Sequence, residues 1–212
     1  MLFVKQFTFS PIQENTYIVY NDKGSCCIID PGCYSLIERN QLKDYILSSG
    51  LAPKYLLNTH CHLDHVFGNK FIAETFDLIP HIHPEEEQML MLAPLSGTRW
   101  GLPFDNYEGK LVFINKHSVI ELDDDRFEIL ETPGHSPGSI CFYCREQGFM
   151  ISGDVLFEDS IGRTDLPMGD HATLLRSIQT QLFTKPDETI IHPGHGRSTT
   201  IGREKQFNPF FN

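Results

Sequence analysis

His60, His62, Asp64 and His65 fall within the seven residues Thr59-His-Cys-His-Leu-Asp-His. Imidazole nitrogens and carboxylate oxygens are the usual ligands of zinc and of non-haem iron. Their density here predicts metal binding. The apolar run Tyr55-Leu56-Leu57 just upstream reads as a buried strand. If the chain stays extended past it, His60 and His62 point the same way, because strand side chains alternate. Asp64 and His65 then sit where the chain turns toward a helical pattern that starts near Gly68. One loop can thus present ligands in two directions, as a two-metal site requires.

Three further turns repeat the arrangement. The apolar stretch Arg126 to Glu131 ends in Thr132-Pro133-Gly134-His135, Phe149 to Ser152 ends in Gly153-Asp154, and Thr189-Ile190-Ile191 leads into His192-Pro193-Gly194-His195. Strand ends joined by small-residue loops are where α/β proteins commonly build sites. Together His60, His62, Asp64, His65, His135, Asp154 and His195 suffice for two metals with three ligands each and one shared carboxylate. Open positions would be left for water, as in catalytic rather than structural sites. His195 is preferred over His192 because it follows Pro-Gly in the manner of His135. His81 and His83 have ligand spacing without a further ligand nearby, so packing is the simpler reading. His171, behind the N-cap candidate Asp170, reads as packing or pocket rim, and His117 gives no signal.

Strands are expected over Leu2 to Phe9, Thr16 to Tyr20 and Ser25 to Ile29, the last ending in Asp30-Pro31-Gly32. Ser35 to Ser49 reads as a helix with Leu36, Ile37, Leu42, Tyr45 and Ile46 on its inner side, closed by Gly50. A helix from about Gly68 to Phe76 and a short strand from Leu78 to His81 follow. Residues 84–116 begin with a helix containing Met89 to Leu92 and are then interrupted by Pro94, Gly97, Gly101, Pro103 and Gly109. Long irregular segments are often lids. This one, with Trp100, Phe104 and Tyr107, reads either as a cover over one side of the pocket or as a satellite packing segment. Strands at Ile140 to Tyr143 and a helix after Asp170 through Leu182 complete the second half. Two halves of strands followed by helices predict one domain over residues 1–212, with two sheets face to face and helices outside.

Composition narrows the class. The chain has 212 residues, 40% hydrophobic content and a formal net charge of −11, enough for a full core. It has no basic cluster, which disfavours nucleic acid as a partner. No signal peptide and no membrane-length apolar window is visible, so a cytoplasmic location with reduced thiols is expected. Cys26 and Cys27 face opposite ways in a strand. Cys141 and Cys144 imitate a redox pair, but three positions apart in a strand their sulfurs fall on opposite faces. Cys33 either lines the site or is a reduced bystander.

The segments T-H-C-H-L-D-H, T-P-G-H-S-P-G, S-G-D-V-L-F and P-G-H-G resemble the metallo-β-lactamase superfamily, and within it the type II glyoxalases (hydroxyacylglutathione hydrolases). The resemblance runs from the N-terminal strands and Asp30-Pro31-Gly32 to Gly196. It implies an α+β fold, a four-layer αβ/βα sandwich of two mixed sheets. It also implies a first metal on His60, His62 and His135, a second on Asp64, His65 and His195, and Asp154 bridging them. The metals would be two divalent ions, zinc first, with iron or manganese as other options. Asp30 is the candidate to orient a ligand imidazole. The chain stops sixteen residues after Gly196, without the glutathione-binding helical extension of the longer glyoxalases. It is similar to short single-domain members, which carry a segment like Gly162-Arg163-Thr164-Asp165; there Arg163 would face the substrate carboxylate. The activity implied is hydrolysis of a small-molecule thioester, S-lactoylglutathione or a related acyl thiol, by a metal-bridging hydroxide that Asp64 both ligates and orients. Two other readings stand beside it: a mononuclear-iron persulfide dioxygenase of the same superfamily, and a non-enzymatic metal-binding protein. Oligomeric state is not legible.

Overall fold

The computed structural model describes residues 1–211. Its first sheet runs β1 (Leu2–Phe9), β2 (Glu14–Asn21), β3 (Ser25–Ile29), β4 (Ala52–Leu57), β5 (Pro80–Ile82) and β6 (Val112–Phe113), in that order. The first three strands are antiparallel hairpins; from β3 onward the pairs are parallel. The crossover between β3 and β4 is helix α1 (Leu36–Ser48). That between β4 and β5 carries α2 (Leu63–Val66) and α3 (Asn69–Phe76), and α4 (Glu87–Arg99) lies between β5 and β6. The second half contributes β7 (Ile120–Leu122), β8 (Asp125–Glu131), β9 (Ile140–Cys144) and β10 (Phe149–Gly153). A small hairpin of β11 (Leu156–Phe157) and β12 (Ser160–Ile161) follows, then α5 (His171–Ser177), β13 (Ile190–Pro193), β14 (Thr199–Thr200) and α6 (Ile201–Phe207). The second sheet has the order β14-β13-β10-β9-β8-β7, mixed because β10 and β13 are parallel.

Side-chain alternation assembles the layers. Tyr17, Val19, Cys27 and Ile29 meet Phe127, Ile129, Ile140, Phe142, Cys144 and Ile151 between the sheets. The intervening Ile18, Cys26 and Ile28 turn outward to Leu42 and Ile46 of α1 and Ile72 of α3. On the other side Cys141, Tyr143, Met150 and Ile191 turn outward to Leu174 of α5, Ile178 and Leu182. The result is a four-layer α/β/β/α sandwich. The period of two thus separates both cysteine pairs, Cys26 from Cys27 and Cys141 from Cys144, onto opposite faces.

Two expectations are corrected. Leu36 and Ile37 are 70% and 80% exposed. At about 100° per residue they sit well off the stripe marked by Leu42 and Ile46. Residues 84–116 are also more regular than their prolines and glycines suggest. Pro94 lies inside α4, where it offers no N–H to the Leu90 carbonyl. The Asn106 side-chain amide donates to that carbonyl instead, at 2.9 Å, so the return segment repairs the helix that precedes it. Of the three aromatics in this segment, read either as a cover or as packing, Trp100 lines the pocket. Phe104 packs edge-on against Phe67, and Tyr107 joins the layer outside the first sheet. Among the described residues no helix is long and apolar enough to cross a membrane.

Candidate metal centre

Four strand ends converge at one edge of the sandwich. Past β4 the chain bends at Thr59 and reaches His62, whose extended backbone opens the buried four-residue helix α2. That extra turn, absent from the expected pattern, directs Asp64 and His65 inward. Asn58 holds it, its amide donating to the His65 carbonyl at 2.9 Å. The loop after β8 reaches His135 through Gly134, whose φ of 136° and contact with the Leu174 backbone leave no room for a Cβ. The loops after β10 and β13 are tied by the Gly194 amide, which donates to the Gly153 carbonyl at 2.9 Å. Asp154 and His195 are thereby placed side by side.

The seven side chains form two adjoining sets. Nδ1 of His62 lies 2.8 Å from Nε2 of His135, which lies 3.2 Å from Nε2 of His60. Nitrogens around one tetrahedral ion with ~2 Å bonds sit at roughly this spacing. In the second set, Nε2 of His195 lies 3.1 Å from Oδ2 of Asp64, and Nε2 of His65 lies 4.0 Å from that same oxygen. Asp154 stands between the sets, its Oδ1 3.4 Å from His65 Nε2 and its Oδ2 3.5 Å from His135 Nε2 and 3.6 Å from His195 Nε2.

Outer partners aim the rings. His135 Nδ1 faces the Arg163 carbonyl at 2.7 Å and His195 Nδ1 faces the Gln13 carbonyl at 3.1 Å. A ring nitrogen facing a carbonyl must carry the proton, so the opposite Nε2 turns a lone pair inward. His65 Nδ1 meets Oδ2 of Asp30 at 3.0 Å.

The electrostatics call for cations. Burial, reinforced by neighbouring imidazoles, drives His60 well below its ordinary value and His62 down to about 3; burial also lowers His135. Burial pushes His65 and His195 down too, but the carboxylates, Asp154 foremost, outweigh it and raise both, His65 strongly. The same attraction, from His65 first, overcomes burial to hold Asp64 below and Asp154 well below the usual carboxylate range. Nε2 of His65 and Oδ1 of Asp154, both turned into the cluster, are buried with no hydrogen-bond partner among the described residues. Unpartnered polar atoms beside buried carboxylates held ionised and three imidazoles held neutral are costly unless a cation engages them. The donor set therefore fits divalent metal ions. Carboxylates and imidazoles accept zinc, iron and manganese alike.

The other candidates lie elsewhere. His192 packs between the rings of Tyr17 and Phe149, with Nδ1 2.9 Å from Ser198 Oγ. His81 faces the Ile79 carbonyl at 2.8 Å, and His83 caps the turn before α4. His171 lies against Phe210, the His117 amide donates to Asn115 Oδ1 within a turn, and Cys33 is buried behind the first sheet. Arg163 lines the cavity, but its guanidinium is paired with Asp165 through two contacts of 2.7 Å. Several residues had escaped notice. Asn15 donates to the carbonyls of Pro193 and Gly196, and the Tyr17 hydroxyl also donates to Pro193; together they hold the His195 loop. The polar run Glu14-Asn15-Thr16 at the head of an otherwise apolar strand was the available signal.

A cavity of ≈ 370 Å³ opens onto the cluster. His62, Asp64, His135, Asp154 and His195 form its floor; Met89, Leu92, Ala93 and Trp100 line it from α4 and the residue after it, and Phe157, Ile161 and Leu166 also line it. Such a site can hold a largely apolar ligand with one polar group against the floor.

Known proteins resemble this chain in sequence and in fold. Hydroxyacylglutathione hydrolase GloC of Haemophilus influenzae is 40% identical over 202 residues, covering 94% of this chain and 93% of that protein. Among solved structures, BLEG-1, a B3 metallo-β-lactamase, superposes with a TM-score of 0.91 at 36% identity over 99% of this chain and 100% of that one. TTHA1623, solved in a di-iron-bound form, superposes at 0.89 with 37% identity over 98% and 100%. The family model for the metallo-β-lactamase superfamily matches residues 10–195, a span that contains all seven converging side chains. The chain belongs to the metallo-β-lactamase superfamily of metal-dependent hydrolases.

Proposed function

We propose that this metallohydrolase cleaves thioesters of the S-lactoylglutathione type, using two divalent ions held by His60, His62, His135, Asp64, His65, His195 and a shared Asp154. The observation that carries the two-ion reading is Asp154, which stands within 3.6 Å of imidazoles from both sets. TTHA1623, 37% identical, in its di-iron form supports it, and similarity to GloC across nearly both whole chains supports the thioester. Metal ions bound there would supply a Lewis acid for the carbonyl oxygen and a water acidic enough to react near neutral pH.

The chain's own groups do the rest. Asp64 Oδ2, ionised at neutral pH and anchored by His195, offers an acceptor that orients a water proton at the cavity floor. Met89, Leu92 and Phe157 exclude bulk water from the scissile bond, which strengthens every polar contact inside. A thiolate leaves readily, so no separate acid is needed at the leaving atom.

Metal analysis of purified protein, run beside a panel of thioester, lactone, phosphodiester and β-lactam substrates, tests the reading. Two metals per chain and turnover highest on the thioester are expected. A lactone or β-lactam turned over faster would overturn the substrate. One iron per chain with oxygen uptake on glutathione persulfide would replace hydrolysis with the dioxygenase reading.

A further inference from the structure

Glu86 is fully buried at the foot of α4, where a carboxylate needs a reason to be. It accepts three hydrogen bonds, and each comes from a loop that carries histidines of one set. Oε2 accepts the Cys61 amide at 2.7 Å, the peptide between His60 and His62. Oε1 accepts the Ser136 hydroxyl at 2.5 Å and the Gly138 amide at 2.7 Å, both just after His135. The fit is tight: a Cβ on Gly138 would come within 2.9 Å of Glu86 Cγ and 2.7 Å of His83 Nδ1. All three hydrogen bonds come from residues next to His60, His62 and His135, and none from the loops that carry Asp154 and His195.

We propose that Glu86 is a positioning residue that sets the distance between the His60–His62 loop and the His135 loop, and so the affinity of the three-histidine half for its metal. It rests on the metal-binding reading above. Through the peptide at Cys61 and the side chain at Ser136, the carboxylate fixes two backbones whose imidazoles meet at 2.8 Å. A glutamine there must turn an amide N–H toward one of the donors, breaking one side of the strut.

The test is metal titration of chelator-stripped protein, wild type against Glu86→Gln, with Zn²⁺ followed by calorimetry and Co²⁺ by its absorption spectrum. Wild type is expected to take two ions. Glu86→Gln is expected to weaken one of them by about 10- to 100-fold, the usual cost of an outer partner of metal ligands, and to leave the other within about threefold. The Co²⁺ bands of the affected ion should change. If both ions bind Glu86→Gln as in wild type, or both weaken equally while the Tm of stripped and loaded protein falls together, Glu86 is a packing residue and the proposal fails. If wild type itself takes no metal, the metal-centre reading fails, whatever the variant does. Should Glu86→Gln not fold, Ser136→Ala removes one strut bond only; an affinity loss of about fivefold confined to the same ion is expected, and no loss would overturn the proposal.

Discussion

Oδ2 of Asp30 lies 3.0 Å from Nδ1 of His65, while its Oδ1 accepts the Thr59 amide at 2.7 Å and its Oδ2 also accepts the Thr59 hydroxyl at 2.5 Å. One carboxylate at the end of β3 therefore orients a ligand imidazole and fixes the residue before His60. Asp30, His60 and His65 lie close enough to hold an ion of their own, but both Asp30 oxygens are already engaged. Asp30 also adopts a left-handed backbone, with φ of 50°. Aspartate tolerates that region better than most residues.

Asp30→Asn keeps the shape and the backbone preference but weakens the acceptor that holds the His65 proton. Metal affinity is expected to fall by about 10- to 100-fold, with little change in the Tm of metal-free protein. Calorimetric titration reads the first and thermal unfolding the second. Unchanged affinity would remove Asp30 from the metal centre.

Gly194→Ala should act more harshly. A Cβ at that position would overlap Oδ1 of Asp154 and come within 2.7 Å of His65 Cε1. His65 is fully enclosed, so the Asp154 carboxylate must shift toward the cavity that it lines. Displacing the carboxylate shared by the two sets is expected to cost at least about 100-fold in kcat/KM and one metal per chain. Normal metal content in a folded Gly194→Ala protein would show that Asp154 is not shared.

The convergence of the histidines was legible because metal chemistry restricts residue type and because each candidate follows an apolar strand, while their division into two sets came from the family resemblance. The sandwich was legible for the same reason: Tyr17, Val19 and Ile29 alternate with Ile18 and Ile28. What escaped is what depends on distant partners. Nothing in Pro84-Glu85-Glu86-Glu87, read as a helix start, sets Glu86 apart, and only the fold delivers Cys61 and Ser136 to it. Asn15 is similar, bonded to Pro193 across 178 positions. Pro94 reads as a helix breaker because its remedy, Asn106, lies beyond the helix.

His192 supplies a pH test. Burial lowers it from 6.5 to about 4. As pH falls below about 6.5 the unfolded chain takes up this proton first, so stability is lost until the pH reaches the folded value near 4. His65 and His195, raised in the fold, act in the opposite sense, so the variant must be compared with wild type. His192→Phe, which keeps an aromatic ring between Tyr17 and Phe149, should lose less stability between pH 6.5 and 4. Urea midpoints of metal-free protein at pH 7 and 5 measure it. Both metals should still bind, because His192 lies outside the cluster; loss of one would make it a ligand after all.

Two arginines line the cavity, and they differ. Arg163 is committed to Asp165, whereas Arg99, in the last turn of α4, has no carboxylate within ion-pairing distance among the described residues. A guanidinium without a counterion is ready to bind an anionic end of the substrate, such as a glutathione carboxylate; one already paired must first give up its partner. If a thioester of that kind is the substrate, Arg99→Ala should raise KM about tenfold with kcat nearly unchanged, because the contact is made equally in ground and transition states. Arg163→Ala should change KM less, since Asp165 already neutralises it. Steady-state kinetics on both variants, with an uncharged thioester as control, separate the two. A larger KM effect at Arg163 would mean that the Asp165 pair opens on binding and that the carboxylate docks on that side of the cavity.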